Sequence, residues 1–206
     1  MNSTLLSRGD TGDPCRLYVS SGGQVNNTTV KGYNAFLYVH SGATAYIASA
    51  IDSGKIQIQN GGFATSLQAD DKGFVQIDGG GIASGIIENG GCVIVSNNGI
   101  ANFASHTFND QVILNGGSAT VHSGTTAVNT ALNGGRFDIF SSGIANSTTV
   151  YSGSMVISPS GVASNVTLSS GGRMTVSSGG TALQVVSRSG AYVSSAGGAV
   201  IEYVTP

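Results

Sequence analysis

Residues 166–180, VTLSSGGRMTVSSGG, state nearly the same phrase twice, and this self-similarity restricts the fold more than any other feature of the chain. Aligned on residues 17–33, LYVSSGGQVNNTTVKGY, the pattern returns at Leu37, Ile56, Val75, Val93, Ala119, Phe137, Met155, Met174 and Ala191. All intervals but one are about 18 to 20 residues, a period that belongs to solenoids whose copies stack on one another. Two residues into each phrase runs an aliphatic column: Val19, Val39, Ile58, Ile77, Val95, Val121, Ile139, Ile157, Val176 and Val193. Six residues later runs a column of small side chains: Val25, Ala45, Ala64, Ala83, Ala101, Ala127, Ala145, Ala163, Ala182 and Ala199. A third, less regular column passes through Val30, Ile51, Ile87, Leu132, Val150, Leu168 and Val186.

Period-two alternation within each phrase means strands, because successive side chains point to opposite faces. Recurrent glycine and β-branched residues exclude helix. Gly pairs such as Gly61-Gly62 and Gly171-Gly172 supply the turns between strands. The fold class expected is therefore all-β: a parallel β-helix, or β-solenoid, of about ten coils with 18–20 residues per coil. One coil buries only a few small aliphatic side chains, at roughly 1.5–2 kcal/mol each. That does not offset about 1–2 kcal/mol of backbone entropy for every residue it orders. Each phrase therefore depends on its neighbours as template and lid.

The expected organisation is a leader or cap over residues 1–15, then a solenoid over 16–206. The one irregular interval, 26 residues from Val93 to Ala119, predicts a loop insertion near 103–111 that carries His106, Phe108 and Asp110. Cys15 and Cys92 fall four coils apart, on the order of 19 Å at the usual strand spacing, so both thiols are expected free or paired only between chains.

Composition narrows the function. The 206 residues include 32 Gly, are 40% hydrophobic and only 9% charged, which is too apolar for a disordered linker. With 8 basic against 10 acidic residues, thinly scattered, there is no basic stripe for nucleic acid or anionic lipid. No apolar run approaches a membrane span, so no membrane insertion by this segment is expected. The opening MNSTLLSRGDTGDPC lacks the basic and apolar regions of a signal peptide, so no export signal is expected in this chain.

The unit xVxVSSGGxAxxTxVxxGG, clearest over 136–153, 154–172 and 173–190, resembles the passenger-domain repeats of AIDA-like autotransporter adhesins, the self-associating and diffuse-adherence type. The resemblance spans residues 16–204. It implies a right-handed parallel β-helix at the cell surface or secreted, acting in adhesion or self-association. It also implies, in some members, glycosylation of repeat Ser and Thr by a dedicated glycosyltransferase.

The leading expectation is a structural and adhesive rod whose partners are like chains or host surface glycans and proteins. Glycosylation candidates are the turn serines Ser21, Ser41, Ser123, Ser142, Ser170 and Ser178, although serine also favours turns for its own hydrogen bonding. Binding candidates are Tyr18 and Tyr38, adjacent in one column, together with His106, Phe108 and Asp110. The Arg8-Gly9-Asp10 tripeptide reads better as a charged leader than as an integrin motif.

No metal site, cofactor or catalytic residue is expected. The competing enzyme reading, a polysaccharide-cleaving β-helix, rests on Asp52, Asp70, Asp71 and Glu88 gathering near one turn. A further alternative is end-to-end assembly of solenoids through the uncapped last phrase.

Overall fold

The computed structural model describes residues 4–7, 13–96, 98–104, 111–121 and 123–204. These residues form an all-β, helix-free parallel β-solenoid of about nine turns, in which every strand pairing is parallel. Each coil has three sides, here called faces A, B and C. Face A begins with Cys15–Val19, Ala35–Val39 and Lys55–Ile58. Faces B and C are the two arms of one bent strand, first Gln24–Lys31, then Thr44–Ile51 and Phe63–Asp70.

The bend is a single residue in the left-handed region: Asn27, Ile47 and Ser66 have φ of 53°, 52° and 57°. Such a residue turns the chain and shifts its alternation by one place, so the inward set changes from Val25 to Thr28 and Val30 across Asn27. This displaces part of the third expected column. Ala50 and Glu88, not Ile51 and Ile87, point inward on face C, and Val186 is exposed.

The corners stack as well as the sides. Gly42 N donates to Gly61 O at 2.9 Å and Gly61 N to Gly80 O at 3.0 Å, so the turn backbone continues the ladder. At Gly73, the last residue of the turn into face A, a Cβ would lie 2.0 Å from the carbonyl oxygen of Ala50 in the coil below, which leaves no room for a side chain.

Stacking is continuous, and its register revises the reading of the irregular interval. Val93 pairs with Val112 and Ala101 with Ala119, nineteen and eighteen residues on, which are ordinary coil lengths. Ala119, aligned by sequence with Val93 on face A, instead sits on face B between Ala101 and Phe137. From there every phrase occupies the next face round. The strand with two large inward residues moves from face A (Leu37 and Val39) to face B (Phe137 and Ile139). The alanine column moves from face B to face C: Ala45, Ala64, Ala83 and Ala101 form one stack, and Ala127, Ala145, Ala163 and Ala182 form another. The left-handed bend moves from the B–C edge to the C–A edge, at Asn129, Ser147, Asn165 and Gln184.

The 26-residue interval is thus an ordinary coil plus one side of the next. Residues 105–110, which include His106, Phe108 and Asp110, lie outside the described residues. The last phrase is also displaced: Met174 pairs with Val193 and Val176 with Ser195, two residues later than the repeat alignment places them. Ala182 accordingly stacks on Ile201 and not on Ala199.

Within the expected leader, Thr4–Ser7 forms a strand against residues 28–31 on face C, with Leu6 buried. Arg8, Gly9 and Asp10 lie outside the described residues. Cys15 and Cys92 are both free of disulfides.

Candidate functional site

Outward side chains on face A fall into vertical columns, because equivalent positions stack at roughly the 4.8 Å strand spacing. Tyr18, Tyr38, Gln57 and Gln76 make one such column. The register brings the tyrosine rings to 4.9 Å between centroids with planes 9° apart, a stacked pair. His40 stacks on Tyr18 at 5.8 Å and Phe36 on Tyr38 at 5.9 Å, while the Arg16 guanidinium lies 5.8 Å from the centre of the Phe36 ring. Above the aromatics the column becomes amide. Gln57 Nε2 and Gln76 Nε2 each donate to one oxygen of Asp78 at 2.6 Å, which fixes both amides in place.

All six candidate serines are exposed on turns, but on two edges. Ser21, Ser41 and Ser170 lie on the A–B edge, whereas Ser123, Ser142 and Ser178 lie on the B–C edge. The shift of phrase by one face separates them.

The carboxylates of the enzyme reading do not gather. Asp52 and Asp71 are exposed, stacked at successive turns with Asp52 N donating to Asp71 O at 2.9 Å. Glu88 is fully buried, and its Oε1 accepts from Gly90 N at 2.8 Å and Gly91 N at 3.0 Å. It holds the turn into coil five and does not face Asp71 across an open site. Among the described residues no group of His, Cys, Asp and Glu has the arrangement of a metal site. The one ion pair found among them is Arg136–Asp138 at 2.7 Å, half exposed, and the hydrogen bond to Asp138 holds the guanidinium above its ordinary pKa.

The concave bends make the grooves, and sequence reasoning missed them. In the first half, a groove of about 290 Å³ is lined by Ile47, Ser66, Leu67, Gln68, Gly85, Ile87 and Ala104. In the second half, a groove of about 540 Å³ is lined by Asn129, Thr130, Ala131, Ser147, Thr149, Tyr151, Asn165 and Thr167. The two are the same feature of the phrase: bend residues, the residue after each, and the outward side chains of the following arm. One is largely apolar and the other polar. The signal lay two residues after each small-column position, where Asn27, Ser66, Gly85, Asn129, Ser147 and Asn165 are residue types that tolerate positive φ.

A scan against protein-family models and a search of curated proteins found no match. Among solved structures, the chain is similar to the TibC-catalyzed hyper-glycosylated TibA55-350 fragment, at 28% identity over 96% of this chain and 93% of that chain, with a TM-score of 0.41.

Proposed function

We propose that this chain is a structural and adhesive rod, at the cell surface or secreted, which associates with like chains or with surface glycans and proteins. The observation that carries the reading is the repetition of outward chemistry at successive levels of a rigid scaffold: the stacked Tyr18–Tyr38 column, the amide column above it and two edges of exposed turn serines. Contacts repeated along a rod engage a repetitive partner together, which raises avidity above the affinity of any one level. Ser21, Ser41 and Ser170 on one edge, and Ser123, Ser142 and Ser178 on the other, are the proposed acceptors for a glycosyltransferase.

Display of the chain on a non-clumping cell tests the reading. Displaying cells should settle as aggregates or adhere to a host cell layer, and replacing Tyr18 and Tyr38 by serine should weaken the effect. Dispersed, non-adherent cells carrying the folded chain at high density would sink it.

A further inference from the structure

The polar groove in the second half has the geometry of a ligand site, and its chemistry restricts the ligand class. We propose that it binds an uncharged, extended oligosaccharide lying along the solenoid axis; this names a ligand class for the adhesive rod proposed above and rests on that reading.

Three observations carry the assignment. None of the eight lining side chains is charged and seven are polar: two asparagines, Ser147, three threonines and Tyr151. Hydroxyls and amides both donate and accept, which matches the mixed donors and acceptors of neutral sugar hydroxyls and disfavours an ionic ligand. The polar positions also recur once per coil. Asn129, Ser147 and Asn165 follow one another at eighteen-residue intervals, as do Ala131, Thr149 and Thr167. Their rise of roughly 4.8 Å is close to the advance of one pyranose ring in an extended glycan, so successive sugars meet equivalent positions, Asn or Ser at the bend and Ala or Thr on the arm.

The groove is also prepared. Asn146 Oδ1 accepts from Asn165 Nδ2 at 2.9 Å and from Ser164 Oγ at 3.1 Å, which orients the Asn165 amide before any ligand arrives. Tyr151, 53% exposed at the edge, offers a ring on which a sugar can stack. Thr130, 1% exposed, belongs to the inward set of face A above Val112, so the open groove is presented by the outward side chains around it.

Calorimetric titration of the full chain with cellohexaose, laminarihexaose and maltohexaose tests the assignment. At least one should bind saturably, with affinity unchanged when salt is raised to about 1 M, since no charge pairing is involved. Tyr151→Ala and Thr167→Lys should each weaken binding roughly tenfold or more. Thr175→Lys, exposed on face B, should not. Thr167→Lys alters an outward side chain and keeps the test valid should Tyr151→Ala fail to fold. Absence of binding by all three sugars, or equal binding by parent and Thr167→Lys, overturns the assignment. So does a Thr167→Lys change confined to sedimentation of the protein alone, which would make a second copy the occupant. Clumping without sugar binding removes the glycan assignment only, whereas sugar binding without clumping or adhesion removes the adhesive-rod reading only.

Discussion

The first five coils and the last four are written in one phrase but presented differently. Up to Val93 the large inward pair lies on face A and the alanines on face B; beyond Ala119 the large pair lies on face B and the alanines on face C. Face B therefore has an interior of Ala45, Ala64 and Ala83 below and of Phe137, Met155 and Met174 above. The comparison teaches that a coil does not need a given residue on a given face. It needs the sum around the coil to fill the interior: one face of large side chains, one of small, one bent and mixed. The rotation also carries the bend groove to a new edge and changes its lining from apolar to polar.

Substitutions on face B test that comparison most directly. Phe137→Ala is expected to cost about 3–5 kcal/mol, because its neighbours above and below cannot collapse into the gap. Chemical denaturation measures this, and a loss below about 1 kcal/mol would show that the upper interior is not close-packed around Phe137. Ala64→Phe, the reverse change three coils below Ala119, should cost about 1–3 kcal/mol by overpacking, since Ile56 and Ile58 already fill that level. A neutral result in the same assay would mean that the two halves do not have complementary interiors.

The bends give a smaller effect of opposite sign. Ile47 is a β-branched residue at φ 52°, in a position otherwise held by Asn, Ser, Gly or Gln. Ile47→Asn is expected to stabilise by roughly 1 kcal/mol, the order of the left-handed penalty it relieves. A lowered melting temperature would show that the 51% exposed isoleucine contributes more by packing in the apolar groove than it loses in backbone strain. Smallest is Arg136→Ala. A half-exposed pair is worth little, so the change should stay within about 0.5 kcal/mol. Because the guanidinium pKa is raised, its charge is fully present across the neutral range and its contribution falls as pH rises through that elevated value, so melting across the neutral range should show no step from the arginine.

Much of the scaffold was legible in the residues. Val19, Val39, Ile58 and Ile77 do stack, and the separation of Cys15 from Cys92 follows from the period. The tyrosine column was legible because Tyr18 and Tyr38 occupy the same place in adjacent phrases. Glu88 was not. Counting by alternation placed it outside, but the left-handed residue at Gly85 reverses the alternation, and the carboxylate turns in to meet two turn amides. The grooves escaped for a related reason: Asn129, Ser147 and Asn165 read as ordinary polar residues until the bend makes the edge concave.

Sequence alone determined the repeat length, the strands and which residues of a phrase seek the interior, because alternation and glycine turns act between near neighbours along the chain. Only the tertiary structure decided on which face each phrase stands. That choice is inherited from the coil beneath through Val93 on Val112 and Ala101 on Ala119, contacts between coils that are eighteen or nineteen residues apart. Seven residues are one side of a coil, so what looks in one dimension like added length is, in a stack of parallel strands, a rotation.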